Sequence, residues 1–88
     1  MPQHKNYTAY TIKGFKAILR RDPEVMVVLH PLTLEVLVLS HVEGELLQDL
    51  IKGKDCKQIA VKHGQTDPRY ELAISRFAAR MRELGFLD

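Results

Sequence analysis

The feature that most constrains this chain is a change of periodicity at Ser40. Residues 24–39 (EVMVVLHPLTLEVLVL) hold two apolar runs separated by His30-Pro31. They read as two strands around a turn, because proline cannot donate to a ladder and marks where a sheet stops. From Ser40 onward the apolar residues recur every three or four positions, the period of a helix buried on one side. With 88 residues the chain makes one domain. One small sheet and a few helices must therefore cover each other.

The helical half is punctuated clearly. Ser40-His41-Val42-Glu43 has the pattern of a capping box, in which hydroxyl and carboxylate each cover an orphan backbone N–H. Val42, Leu46, Leu47, Leu50 and Ile51 form the stripe that follows, and Gly53 ends it. Asp55 to Gln58 repeats the box before a short helix carrying Cys56, Ile59 and Ala60, closed by His63-Gly64. Asp67-Pro68 caps a third helix, with proline where its missing N–H costs nothing. Tyr70, Ile74, Phe77, Met81 and Leu84 are its core stripe, and Gly85 stops it before Phe86-Leu87.

The first half reads less sharply. Residues 1–9 are polar and unpatterned, which predicts a flexible N-terminal arm ahead of a domain over 10–88. Residues 14–20 (GFKAILR) alternate weakly and predict a first strand, with Phe15, Ala17 and Leu19 on one side. Asp22-Pro23 is a turn signal. Val25 to Leu29 is apolar on both faces, as in a mid-sheet strand. Leu34 to Leu39 returns, with Leu34, Val36 and Val38 on one face and Glu35, Leu37 and Leu39 on the other. Once one face packs on the helices, two leucines remain on the other, more than a solvent face needs. The fold class expected is α+β: a three-stranded antiparallel sheet followed by three helices, a winged helix-turn-helix.

Composition narrows function. Net charge is +2, from 13 basic and 11 acidic residues, far from the excess expected on phosphate backbones. One cysteine, Cys56, permits neither an internal disulfide nor a thiolate metal cage, and favours a reducing compartment. The start, MPQHKNYTAY, lacks the apolar stretch of a signal peptide, and no run approaches the ~20 residues of a membrane helix. The expectation is a soluble cytoplasmic protein without a membrane partner. His4, His30, His41 and His63 lack ligand spacing, so no metal site is expected. No nucleophile–base order, phosphate loop or separated carboxylate pair is visible, so no catalytic residue is assigned and the chain is read as a non-enzyme.

Two binding readings remain. Residues 55–84 have helix-turn-helix spacing, but the turns that would read bases hold Asp67 and Glu71 against Arg69 alone, which argues against nucleic acid. Alternatively, Arg69, Ala73, Arg76 and Arg80 run along one flank of the third helix. Beside the Leu34–Leu39 strand that flank would make a groove with an apolar floor, a basic wall and a free backbone edge. An extended acidic peptide could add there as a strand. An exposed edge also leaves homodimerisation open.

From about Ala17 to Asp88 the chain resembles the PqqD-like family, the precursor-peptide recognition elements of ribosomal peptide-modifying systems. The resemblance rests on Val38-Leu39-Ser40, Leu46 to Ile51, Gly53, Gln58-Ile59-Ala60, and Phe77 to Leu87 ending Arg82-Glu83-Leu84-Gly85-Phe86-Leu87. Ser40 stands where the family usually has asparagine, and Gly44 interrupts the first helix. The resemblance implies that a precursor's leader peptide binds as a strand along Glu35, Val36, Leu37, Val38 and Leu39. Arg69, Leu72, Ala73, Arg76 and Arg80 would form the wall. It further implies a peptide-modifying partner enzyme, often a radical-S-adenosylmethionine protein, which would carry the chemistry. The chain itself would need no cofactor.

Overall fold

The computed structural model describes residues 6–88. Four antiparallel strands come first: β1 (Tyr7–Ile12), β2 (Phe15–Arg21), β3 (Met26–Leu29) and β4 (Val36–Leu39). Three helices follow: α1 (His41–Ile51), α2 (Cys56–Lys62) and α3 (Pro68–Glu83). The strands lie side by side in chain order, β1-β2-β3-β4. The protein is α+β with an antiparallel sheet and three helices. It has four strands where three were expected.

The added strand is β1. Tyr7, Ala9 and Thr11 alternate with Thr8, Tyr10 and Ile12, and Ile12 pairs with Phe15. The connection is therefore the two residues Lys13-Gly14, at φ 51° and 83°. Positive φ at both positions is the hairpin geometry whose twist matches that of the strands, and Gly14 adopts it without strain. Residues 7–9 thus belong to the sheet rather than to an arm, while residues 1–5 lie outside the described residues.

β4 begins at Val36, two residues later than expected. Leu34 sits in the turn at φ 63°, a conformation leucine enters only under compulsion, and it is exposed. His30 supplies the compulsion. Its Nδ1 accepts the N–H groups of Leu32 and Thr33 at 3.1 and 3.2 Å, and its backbone carbonyl accepts Leu34 N–H at 3.0 Å. The ring is buried edge-on against Phe86, and its Nε2 lies 3.0 Å from the Gly85 carbonyl. With Nδ1 accepting, Nε2 carries the proton and donates.

The inward face of β4 is also the reverse of the expectation. Val28 pairs with Leu37 and Met26 with Leu39. Because Met26 and Val28 point at the helices, Leu37 and Leu39 must as well. Val36 and Val38 face outward. The main core joins Ile12, Ala17, Leu19, Met26, Val28 and Leu39 of the sheet to Leu47, Met81 and Phe86. Ile59, Ala60 and Ile74 close a second cluster between α2 and α3. Val42 and Leu84, both read as core from their spacing, are exposed.

All three helix starts form as the sequence indicates. Ser40 and Glu43 exchange both bonds of a capping box, Asp55 and Gln58 do the same, and Asp67 caps α3 ahead of Pro68. Gly44 explains itself by proximity. A methyl there would fall on the Met26 sulfur and within 2.8 Å of its Cβ and Cγ, so α1 can cross β3 only with glycine at this point. Asp49, buried on α1, takes Lys62 at 2.9 Å and Lys54 at 3.4 Å. Burial raises its pKa, but the two ammonium groups outweigh burial and hold it below the usual carboxylate range.

Candidate functional site

β4 is the last strand of the sheet, and none of the described residues pairs with its far side. His30 N–H donates to the Glu35 carbonyl at 2.8 Å, which sets the parity of the ladder. In an antiparallel pair, bonded residues alternate. The Glu35 carbonyl and the peptide groups of Leu37 and Leu39 therefore turn toward β3, and Val36 and Val38 turn theirs toward the open edge.

α3 runs alongside that edge in the opposite sense. Its C-terminal end is tied to the start of β4 through His30 and Gly85, while its middle lies near the end of β4. Between them is a cleft of about 350 Å³, lined by Leu37, Val38, Leu39 and Glu43 on one side and by Arg76, Phe77, Arg80, Met81 and Leu84 on the other. The floor is apolar. The Glu43 carboxylate at the α1 end already accepts Ser40 N–H at 3.1 Å.

The arginines differ in what they hold. Arg20 is paired with Asp22, Arg21 with Glu45 and Arg69 with Asp67. Arg82 donates to the Asp88 backbone carbonyl. Among the described residues, Arg76 and Arg80 make neither an ion pair nor a side-chain hydrogen bond. Two uncommitted guanidiniums over an apolar floor suit carboxylates on an extended chain.

Of the ten residues that the sequence singles out for a groove, the structure brings five together. Leu37, Val38, Leu39, Arg76 and Arg80 come together in one cleft. Val36 belongs to the same edge. Glu35 lies in the turn before β4, with its N–H on Thr33 Oγ1. Arg69 is outside the cleft, fully solvated and bound by its own cap residue, Asp67. Leu72 opens onto a different hollow with Cys56, Pro68 and Ser75. Ala73 is one turn short of the cleft on the same flank of α3.

Four lining residues escape a reading based on the arginine row. Phe77 and Met81 belong to the core stripe and show only one side to the cleft. Leu84 falls at the end of that stripe, beyond the reach of the second cluster. Glu43 is accounted for by its cap. The available signal was that Phe77, Met81 and Leu84 follow the arginine row at i+1 and i+4 offsets, which puts both rows on adjoining flanks.

His30, His41 and His63 are engaged locally, and His4 lies outside the described residues. His41 Nε2 lies 2.8 Å from the Asp22 carbonyl, and His63 stacks near Tyr70 beside Asp49. Among the described residues no group of three or more His, Cys, Asp or Glu side chains is placed to hold a metal ion. No helix of the described residues is long and apolar enough to cross a membrane. No family model, curated protein or solved structure matches the chain.

Proposed function

We propose that this protein is a winged helix-turn-helix peptide-recognition domain that receives an extended segment as a fifth strand on β4. The observation that carries this reading is the pairing of one open edge with one uncommitted basic wall. Val36 and Val38 offer main-chain donors and acceptors at the mouth of the cleft that Arg76 and Arg80 overlook. Ladder bonds supply affinity in such an arrangement, and alternate side chains supply selectivity. Side chains on one face of the guest would enter the cleft, where carboxylates meet the arginines. Those on the other face would continue the row of Val36 and Val38.

The guest that suits this site is the leader segment of a ribosomally made precursor, presented to a modifying enzyme, in keeping with the PqqD-like pattern of the sequence. The enzyme would be a radical-S-adenosylmethionine protein or one of similar task, working in the cytoplasm. This chain contributes binding and no bond chemistry. A DNA-reading role is the weaker alternative. Arg69, the one cation in the first turn of α3, is neutralised by Asp67, and Arg76 and Arg80 line the cleft.

A titration followed by NMR tests the reading. With a short synthetic peptide alternating glutamate and valine, shifts should concentrate on residues 36–39 and 76–84, and a lysine–valine peptide should leave them unmoved. Shifts confined to α2 and the start of α3, or equal binding of both peptides, would overturn it.

A further inference from the structure

All three helices lie on one side of the sheet, and none of the described residues covers the other side. On that outer face stand Tyr7, Ile18, Leu29, Val36 and Val38, exposed by 49, 42, 50, 60 and 59%, with half-buried Val27 between them. An antiparallel sheet with one solvated face ordinarily alternates apolar-in and polar-out. This one is apolar on both faces across β3 and β4. The bare patch is on the order of 500 Å², at the upper end of what soluble monomers expose.

We infer that the outer face of the sheet is the interface with a second copy of this chain. Charge favours a copy over a charged partner. The central cation of the face, Arg20, is already neutralised by Asp22 through bonds of 2.9 and 3.0 Å. Two copies brought face to face therefore meet no unpaired charge at the centre, and a strongly acidic or basic partner would find nothing there to hold.

Shape favours it too. Tyr7, Ile18, Val27 and Leu29, together with Asn6 and the Asp22-paired Arg20, line a mainly apolar hollow of about 400 Å³ over the β1–β3 side of the face. Val36 and Val38 stand beside it on β4. A two-fold axis through the face sets the valines of each copy into the hollow of the other, the self-complementary match that such an interface demands. Sheets pack this way at ~10 Å, with strands crossing at ~30°. Two patches with their rims reach the ~1,000 Å² total at which specific interfaces begin. The interface is therefore small, and the dimer should dissociate on dilution.

The inference does not depend on the peptide proposal. The cleft opens on the helix side of β4 and the outer face on the other, with Val38 bordering both, so a dimer built this way covers the Val38 side chain and leaves Arg76, Arg80 and the β4 edge open.

Sedimentation equilibrium of the whole chain from micromolar to millimolar concentration tests it. The mass should rise from that of one 10.1 kDa chain toward twice that value. Ile18→Lys with Leu29→Lys should keep the mass at one chain while leaving the far-ultraviolet circular dichroism unchanged. Independently of any variant, isotope-filtered NMR on mixed labelled and unlabelled protein should join Val36 and Val38 methyls to Ile18 and Leu29 methyls of the other copy. A single-chain mass at every concentration would overturn the inference. So would filtered contacts joining the β4 backbones edge to edge.

Discussion

The two sides of the sheet are held in different ways. On the β1 side, polar side chains fasten the hairpin to the rest of the chain. Tyr10 Oη donates to the Phe86 carbonyl at 2.8 Å, Lys13 N–H donates to both Asp88 carboxylate oxygens at 3.1 Å, and Gln48 Nε2 donates to Thr8 Oγ1 at 2.6 Å. On the β4 side the strand is shorter and entirely aliphatic. Among the described residues, its valine peptide groups have no partner strand and two arginines nearby make no ion pair. β1 is an edge strand as well, so the two sides differ in their side chains: polar ties fasten the first, and free guanidiniums stand beside the second. Uncommitted polar groups are where binding is to be sought, because satisfied ones have nothing left to offer.

The largest expected effect tests the free guanidiniums. Replacing Arg76 and Arg80 together by glutamate should weaken the glutamate–valine peptide by about 100-fold, about 2.8 kcal/mol at ~1.4 kcal/mol per decade. The melting temperature should hold, since neither side chain supports the fold. Calorimetry beside a thermal melt decides it, and a large fall in melting temperature would show those arginines to be structural after all.

Gly44→Ala tests the packing behind β4. Alanine gains about 1 kcal/mol in helix propensity over glycine, but overpacking on Met26 costs up to ~3 kcal/mol. A net loss near 2 kcal/mol is expected in urea unfolding. The loss should largely vanish in a Met26→Ala background, because the two residues share one contact.

Asp49→Asn comes next, at about 1–2 kcal/mol at neutral pH. Hydrogen bonds to charged groups contribute at that level, and the freed Lys62 and Lys54 can turn to water. The wild-type carboxyl titrates lower folded than unfolded. Its stabilisation is therefore complete above the usual carboxylate range and is lost as pH falls through the folded value. The variant should lack that acid limb in pH-dependent unfolding curves.

The smallest effect belongs to the β1 side. Tyr10→Phe removes one hydrogen bond, worth about 1 kcal/mol, and should leave peptide affinity untouched. Burial, with the Asp88 charge, pushes the Tyr10 phenol up to about 12, against ~10 unfolded. The neutral form is thus favoured by folding. Its contribution is full below pH ~10 and disappears as pH climbs through about 12. Alkaline unfolding should begin later in the phenylalanine variant.

What could be read in advance was local. Ser40 with Glu43, Asp55 with Gln58, and Asp67 with Pro68 announce helix starts because cap and partner sit within one turn of each other. β1 was not read as a strand because Tyr, Thr and Ala alternate without polarity contrast, and the pairing that orders them lies across a hairpin. Lys13-Gly14 was a usable signal for that hairpin. The inward face of β4 could not be decided from parity, since both of its faces are aliphatic; the orientation of Met26 and Val28 decides it. Leu34 gave no hint of positive φ, which His30 imposes from outside the segment. Gly44 reads in the sequence as a break in the helix, and only the Met26 side chain beneath it accounts for it. In the cleft, the helical period alone aligned Arg76 with Arg80. It also aligned Arg69, because a helical wheel cannot show that Asp67 has claimed that side chain.

His30 has a consequence for how a guest could enter. One imidazole joins the 30–35 turn to Gly85, just past the end of α3, so the Leu84 end of the slot is riveted. Farther along, toward Glu43, no side-chain hydrogen bond among the described residues ties β4 to α3. A slot clamped at one extremity and unclamped at the other behaves like a clothes-peg. It should widen at the Glu43 jaw before it widens at the Leu84 end.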